Sequence, residues 1–206
     1  MAIVCSIVIG YLLGCISPAA LISKIKKKDL RKSGTGNLGA TNTLLVFGKG
    51  WGVFVMLFDV TKTYTACRVA QWLFPWLSVA GTLAGGAAVA GHIYPFYMKF
   101  RGGKGLASFA GLILGVDPLL FPVLLICALT AMFVVNFTYA VPMTAAPLFP
   151  ILHGVFNRDL AGTLILIAVG ILLVWVHIPN IHRAKRGEEV KMREFVKDHL
   201  CRKANG

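Results

Sequence analysis

This sequence has little charge for its length. Only 14% of its 206 residues are Asp, Glu, Lys or Arg, against 57% hydrophobic, and the mean hydropathy is +0.74. A water-soluble domain of this length needs far more polar surface to cover its core, so the bilayer is the expected solvent. Acidic residues are scarcest, with 8 against 21 Lys and Arg, for a formal net charge of +13. That excess does not read as a nucleic-acid surface, because the bases sit in short clusters between apolar runs. Anionic headgroups and phosphorylated substrates suit such clusters better.

Paired cysteines are also missing. Cys5, Cys15, Cys67, Cys127 and Cys201 form no CxxC or CxH spacing, and four of them lie in apolar stretches. They read as apolar fillers, so no disulfide framework, metal site or cofactor is expected. The opening Met-Ala-Ile-Val-Cys has no basic n-region, which predicts a retained first span rather than a cleaved signal. Leu12-Leu13-Gly14-Cys15 loosely matches a lipoprotein box but has no basic flank, and is set aside.

What is abundant is apolar sequence. Hydrophobic segments run over about 2–23, 51–72, 77–94, 105–116, 118–135, 139–156 and 160–178. A perpendicular span needs roughly 20 residues, so 105–116, interrupted by Asp117-Pro118, predicts a half-helix or a crossing at a locally thinned site. The pattern predicts an all-α integral membrane protein, a bundle of about seven transmembrane helices. Charge placement favours seven. Lys24, Lys26, Lys27, Lys28, Arg31 and Lys32 follow the first segment; Lys99, Arg101 and Lys104 follow the third. Arg183, Lys185, Arg186, Lys191, Arg193, Lys197, Arg202 and Lys203 follow the last. Seven crossings put these clusters on one face, which the positive-inside rule makes cytoplasmic, with the N-terminus outside and the C-terminus inside. Gly10-x-x-x-Gly14 and Gly81-x-x-x-Gly85 predict close helix packing. Asp59 and Lys62, at i and i+3 within the second segment, predict a mutual pair facing the bundle. Residues 182–206 read as a basic cytoplasmic tail, solvated and without chemistry.

Three polar segments on the cytoplasmic side carry chemistry. Ser33-Gly34-Thr35-Gly36-Asn37-Leu38-Gly39-Ala40-Thr41-Asn42 sets glycines, amides and hydroxyls beside a basic run, a composition able to turn N–H groups toward an anion. It also fits an ordinary flexible loop and helix cap, and no Gly-Lys-Ser/Thr closes it as a Walker loop. In Gly91-His92 through Gly105, Gly102-Gly103-Lys104-Gly105 opens the next apolar segment. A phosphate there would meet free N–H groups, a helix dipole and an ammonium. Membrane-surface anchoring explains Lys99 and Arg101 but explains the two glycines before Lys104 poorly. Finally, His177 and Asn180 are three apart at the end of the last span and share a face if Pro179 leaves the helix intact.

At these motifs the sequence resembles the bacterial acyl-phosphate:glycerol-3-phosphate acyltransferase (PlsY) family. Asp29-Leu30-Arg31-Lys32 with Gly36 through Asn42, then Gly91-His92 through Gly105, then His177-x-x-Asn180-Ile181 carry the likeness, over almost the whole chain. The resemblance implies a seven-helix enzyme of the bacterial inner membrane, residues 1–181 forming one transmembrane acyltransferase domain whose cytoplasmic loops build the active site. It implies acyl phosphate as donor, glycerol 3-phosphate as acceptor, lysophosphatidic acid as product, membrane lipids as neighbours and no metal. Carried over by position, Thr35, Asn37, Gly39, Thr41, Asn42 and His92 would frame the substrate. Lys104 with Gly102 and Gly103 would hold phosphate, and His177 and Asn180 would orient the reacting groups. Thr35 stands where the family usually has serine, and Leu38 where it has proline or isoleucine. Leu45 and Val176 each replace an arginine, Thr138 to Thr144 keeps little of the family pattern there, and the stretch near Cys15-Ile16-Ser17-Pro18 is altered. Each lost cationic contact to phosphate is worth about 1.5–3 kcal/mol, so weakened glycerol 3-phosphate affinity is expected. Readings from other classes are a non-catalytic membrane protein binding lipid or a phosphorylated ligand, a paralogue with another acceptor, and a small transporter. The last is disfavoured because no inverted repeat appears and the polar loops gather at one face.

Overall fold

In a computed structural model, residues 1–189 and 191–196 are described. Each of the seven apolar segments forms a helix or helix pair. The first is broken into α1 (Ala2–Cys15) and α2 (Pro18–Ile25), because Pro18 cannot continue a helix and Ser17 caps the next one, accepting from the Ala20 N–H at 3.3 Å. After a short α3 (Ala40–Phe47) come α4 (Lys49–Leu73), α5 (Ala80–Ile93), α6 (Leu106–Val116), α7 (Leu120–Val135), α8 (Ala140–Asn157), α9 (Leu160–Lys185) and α10 (Met192–Val196). At 1.5 Å per residue, α6 is only about 16 Å long, half a bilayer core. Its shortness follows from Gly105 at one end and Asp117-Pro118 at the other.

Small residues set the packing. α5 is buried along almost its whole length and is built largely of Gly and Ala, so four helices crowd against it. A Cβ on Gly10 or Gly14 would sit 2.0 Å from the Ala84 carbonyl oxygen or 2.1 Å from that of Ala88. The expected close approach is therefore backbone against backbone. The larger core lies between α6, α8 and α9, where Phe109 and Phe149 meet edge to face at 5.9 Å beside Leu112, Leu166 and Leu173. Outward faces are apolar instead: Ile126, Val134, Ile171 and Trp175 are all exposed, a surface suited to lipid rather than water.

The Asp59–Lys62 pair is present at 2.7 Å and buried on both sides. Lys62 Nζ also donates to the Ile16 carbonyl at 2.6 Å, in the break between α1 and α2, and lies 3.0 Å from His92 Nδ1. One ammonium thus contacts α4, the α1–α2 break and α5. The tail departs from expectation. α9 continues to Lys185, and the chain then returns to the bundle: Met192 N–H donates to the Asn136 carbonyl and Arg193 N–H to Asn136 Oδ1. Residues 197–206 of the expected tail lie outside the described residues.

Replacing Lys62 by Met strands a buried carboxylate, and is expected to cost about 3–5 kcal/mol. Thermal unfolding in detergent should fall sharply for Lys62→Met and recover in part for Asp59→Asn/Lys62→Met. Equal loss in both would mean that the pair is not what holds the helices.

Candidate active site at the basic end of the bundle

The first polar loop is shaped by one side chain. Asn42, fully buried in the first turn of α3, accepts from the Thr35 N–H at 2.7 Å through Oδ1. Its Nδ2 donates to the carbonyls of Leu30, Ser33 and Asn37 at 2.8, 3.1 and 2.9 Å. These bonds fold the loop round the amide, while Gly34 and Gly36 supply the positive φ of 58° and 74° that its turns require. Asn42 therefore has its polar atoms engaged with its own loop. Thr41 beside it is exposed at the start of α3, Thr35 and Asn37 are half-buried, and Gly39 caps α3 in extended conformation.

The second loop is held from behind. Gly102 N–H donates to the Ile93 carbonyl at 2.9 Å and Gly103 N–H to the His92 carbonyl at 3.1 Å. A Cβ on Gly102 would lie 2.0 Å from the His92 carbonyl oxygen, and one on Gly103 2.2 Å from His92 Nε2 and 2.6 Å from the Leu38 oxygen. The glycines are there for close packing, and their amides are already used. Amides free to meet an anion come one step later. The N-terminus of α6 follows Gly105, and its first intrahelical acceptor is the Gly105 carbonyl, taken by Phe109 N–H at 2.7 Å. The N–H groups before Phe109 thus have no helical partner. Ser108, missed in the sequence because it sits inside an apolar run, lies in this turn with its buried hydroxyl unpartnered among the described residues. His92 itself is buried, its Nδ1 against Lys62 Nζ at 3.0 Å and Asp59 Oδ1 at 3.3 Å.

The third segment joins the other two. α9 runs unbroken through Pro179, so His177 and Asn180 share a face. Lys104 Nζ donates to Asn180 Oδ1. Asn180 Nδ2 donates to Glu189 Oε1 at 2.8 Å, the Glu189 carboxylate lies 3.3 Å from Arg183 Nε, and Arg183 donates to the Thr35 carbonyl at 3.4 Å. His177, buried one turn further in, has Nδ1 2.8 Å from the Leu173 carbonyl; the bond requires the N–H there, leaving the Nε2 lone pair unused. Lys104, His177 and Thr35 thus meet at one end of the bundle. Glu189 and Arg183 were not anticipated. Their one sequence signal is a glutamate pair placed in an otherwise basic stretch just after Gly187, whose φ is 73°.

Comparison with known proteins decides what this end of the bundle belongs to. The model of the family described as glycerol-3-phosphate acyltransferase matches residues 4–187. The chain belongs to the glycerol-3-phosphate acyltransferase family. It is 37% identical to a glycerol-3-phosphate acyltransferase of Macrococcus caseolyticus, covering 94% of this chain and 98% of that one. It is 39% identical to one of Coxiella burnetii, covering 94% and 100%. Among solved structures it is similar to PlsY, an integral membrane glycerol 3-phosphate acyltransferase, in its glycerol 3-phosphate form. That match has a TM-score of 0.85 and 30% identity, over 93% of this chain and 96% of that one. The lysophosphatidic acid form matches with a TM-score of 0.83 and 29% identity, over 93% and 95%.

Leu45 is half-buried on α3 and Val176 packs against the larger core. Phe137 stacks on Tyr139 at 5.5 Å, and Phe137 pairs with Lys191 of the returning chain.

Burial, helped by the Arg183 charge and opposed by Glu189, holds the Lys104 ammonium below the usual lysine range. An anion bound there favours the charged form, so binding is expected to be complete at low pH and to weaken as pH rises through the depressed value. Titration of sulfate binding between pH 7 and 10, where this anion does not itself ionise, should show the midpoint below that of an ordinary lysine, and the pH dependence should vanish in Lys104→Met. Glu189→Gln removes a negative charge that competes with an anion for Arg183 and Lys104, and is expected to tighten phosphate binding severalfold with the fold retained. Binding equal to the parent's would remove Glu189 from the site.

Proposed function

We propose that this acyltransferase moves an acyl group from acyl phosphate to the first hydroxyl of glycerol 3-phosphate, releasing inorganic phosphate and lysophosphatidic acid. The observation that carries this reading is the chain of contacts Lys104–Asn180–Glu189–Arg183–Thr35, which gathers two cations and three motifs at one spot. The family's activity and the PlsY forms holding substrate and product support it.

Lys104, the α6 amides and Thr41 bind phosphate oxygens. Gly102 and Gly103 bring the loop close enough for this without spending donors of their own, and His92 braces it. Thr35, Asn37, Gly39 and Asn42 shape the opposing wall. Asn180 fixes Lys104. The hydroxyl of glycerol 3-phosphate donates to His177 Nε2, which orients it toward the acyl carbonyl. The new C–O bond forms as negative charge collects on the carbonyl oxygen, the carbonyl-to-phosphate bond then breaks, and the hydroxyl proton ends on the departing phosphate. Acyl phosphate is already activated, so proximity and charge stabilisation suffice and no acyl-enzyme is needed. The acyl chain follows the apolar groove of about 600 Å³ between α8 and α9, whose lining includes Val174, Trp175 and Ile178 beside His177. The enzyme sits in the bacterial inner membrane with its N-terminus outside and the site and C-terminus in the cytoplasm, as the shared position of the basic clusters supports.

Purified protein given acyl phosphate and glycerol 3-phosphate should release phosphate, with lysophosphatidic acid seen by mass spectrometry. Lys104→Ala should lose about a hundredfold or more in kcat/KM, and His177→Ala should lose mainly kcat. No turnover, or Lys104→Ala equal to the parent, would sink the reading. Leu45→Arg, restoring a cation beside the first loop, is expected to lower KM for glycerol 3-phosphate about tenfold.

A further inference from the structure

A second concave basic site lies outside the proposed catalytic residues. A pocket of about 760 Å³ is lined by Lys24, Lys27, Lys28, Arg31, Lys99 and Arg101, with Asp29 the one carboxylate among them. Asp29 is already engaged, accepting from the Arg31 N–H at 2.9 Å. The two walls are tied together rather than adjacent by chance. The Arg31 guanidinium donates to the Arg101 carbonyl at 2.8 Å, and Ser23 holds the turn between α2 and Leu30 by donating to the Lys28 carbonyl at 2.7 Å and accepting from the Leu30 N–H at 3.1 Å. Thr35, Asn37, Thr41, Lys104, His177 and Asn180 do not line it.

We propose that this pocket binds the phosphate of one anionic phospholipid of the surrounding leaflet. Six cations against one carboxylate leave the recess with a net positive charge, which favours an anion of concentrated charge. The lipid is favoured over a free phosphate by what surrounds the pocket. Phe96, Tyr97 and Phe100 are exposed, and Tyr97 is anchored by donating to the Cys15 carbonyl at 2.8 Å, at the C-terminal end of α1. Lys26 lies over the Trp51 ring at 5.3 Å on the same end of the bundle. Such aromatic and cationic side chains mark the headgroup level, where acyl chains lie alongside the apolar faces of α1 and α2 and the phosphate reaches the basic recess. The site is independent of the catalytic reading, because none of the proposed catalytic residues lines it.

The test uses the full chain in nanodiscs of phosphatidylcholine with increasing phosphatidylglycerol, read by native mass spectrometry after mild detergent stripping. One phosphatidylglycerol should be retained per chain in preference to phosphatidylcholine. The variant Lys24→Gln/Lys27→Gln/Lys28→Gln/Lys99→Gln should retain it at least about tenfold less. Lys185→Gln/Arg186→Gln/Lys191→Gln/Arg193→Gln, which removes the same charge elsewhere, should match the parent. If the first variant is recovered unfolded, Lys27→Gln/Lys99→Gln takes its place with a severalfold loss expected. Equal loss in both charge-removal variants, or no preference for phosphatidylglycerol, overturns the site. Displacement of the lipid by millimolar inorganic phosphate overturns the choice of lipid as occupant.

Discussion

The buried Lys62 ammonium is the point on which the rest of the structure turns. A lone charge deep among helices is expensive, so it must collect polar partners, and here they come from α4 itself, from the α1–α2 break and from α5. The break that Pro18 imposes between α1 and α2 supplies one of these groups, because it leaves free the Ile16 carbonyl that Lys62 occupies. Lys62 also meets the His92 ring, against whose other edge Gly103 packs. The buried charge pair is thereby connected, through His92, to the loop that carries Lys104.

Around that anchor, scaffold and ligand-facing groups are separated. Asn42 and the Gly102 and Gly103 amides are saturated by neighbouring backbone, so they define shape. Among the described residues, Thr41, the first amides of α6, the Ser108 hydroxyl and His177 Nε2 are left with unspent capacity. Under the proposed reading these are the groups that an anion would meet, in positions already fixed by bonds elsewhere. The Glu189 carboxylate balances Lys104 and Arg183, keeping two cations close together without an anion present.

The two ends of the bundle differ in chemistry. At the end opposite the site, Asp117 accepts from Asn157 Nδ2 at 2.7 Å, Asp159 caps α9 by accepting from the Gly162 N–H at 3.0 Å, and His153 is buried between the two carboxylates, 3.7 Å from each. Acidic caps at one end and basic clusters at the other give the molecule an electrostatic axis along its helices.

From the sequence alone came the membrane solvent, the helical segments and the three motifs. These follow from composition, run length and local spacing, which need no knowledge of distant contacts. The Gly10 and Gly14 pattern and the Asp59–Lys62 spacing were legible for the same reason. Only the tertiary structure decided that Gly102 and Gly103 spend their amides inward, that Asn42 organises its loop, and that the segment after α9 returns with Glu189 to join Asn180 to Arg183. Those outcomes depend on which carbonyl lies opposite which donor across as many as 148 residues of chain, as between Thr35 and Arg183. Hydrophobic periodicity carries no record of such pairings, because it reports which face of a helix is buried and not what that face touches.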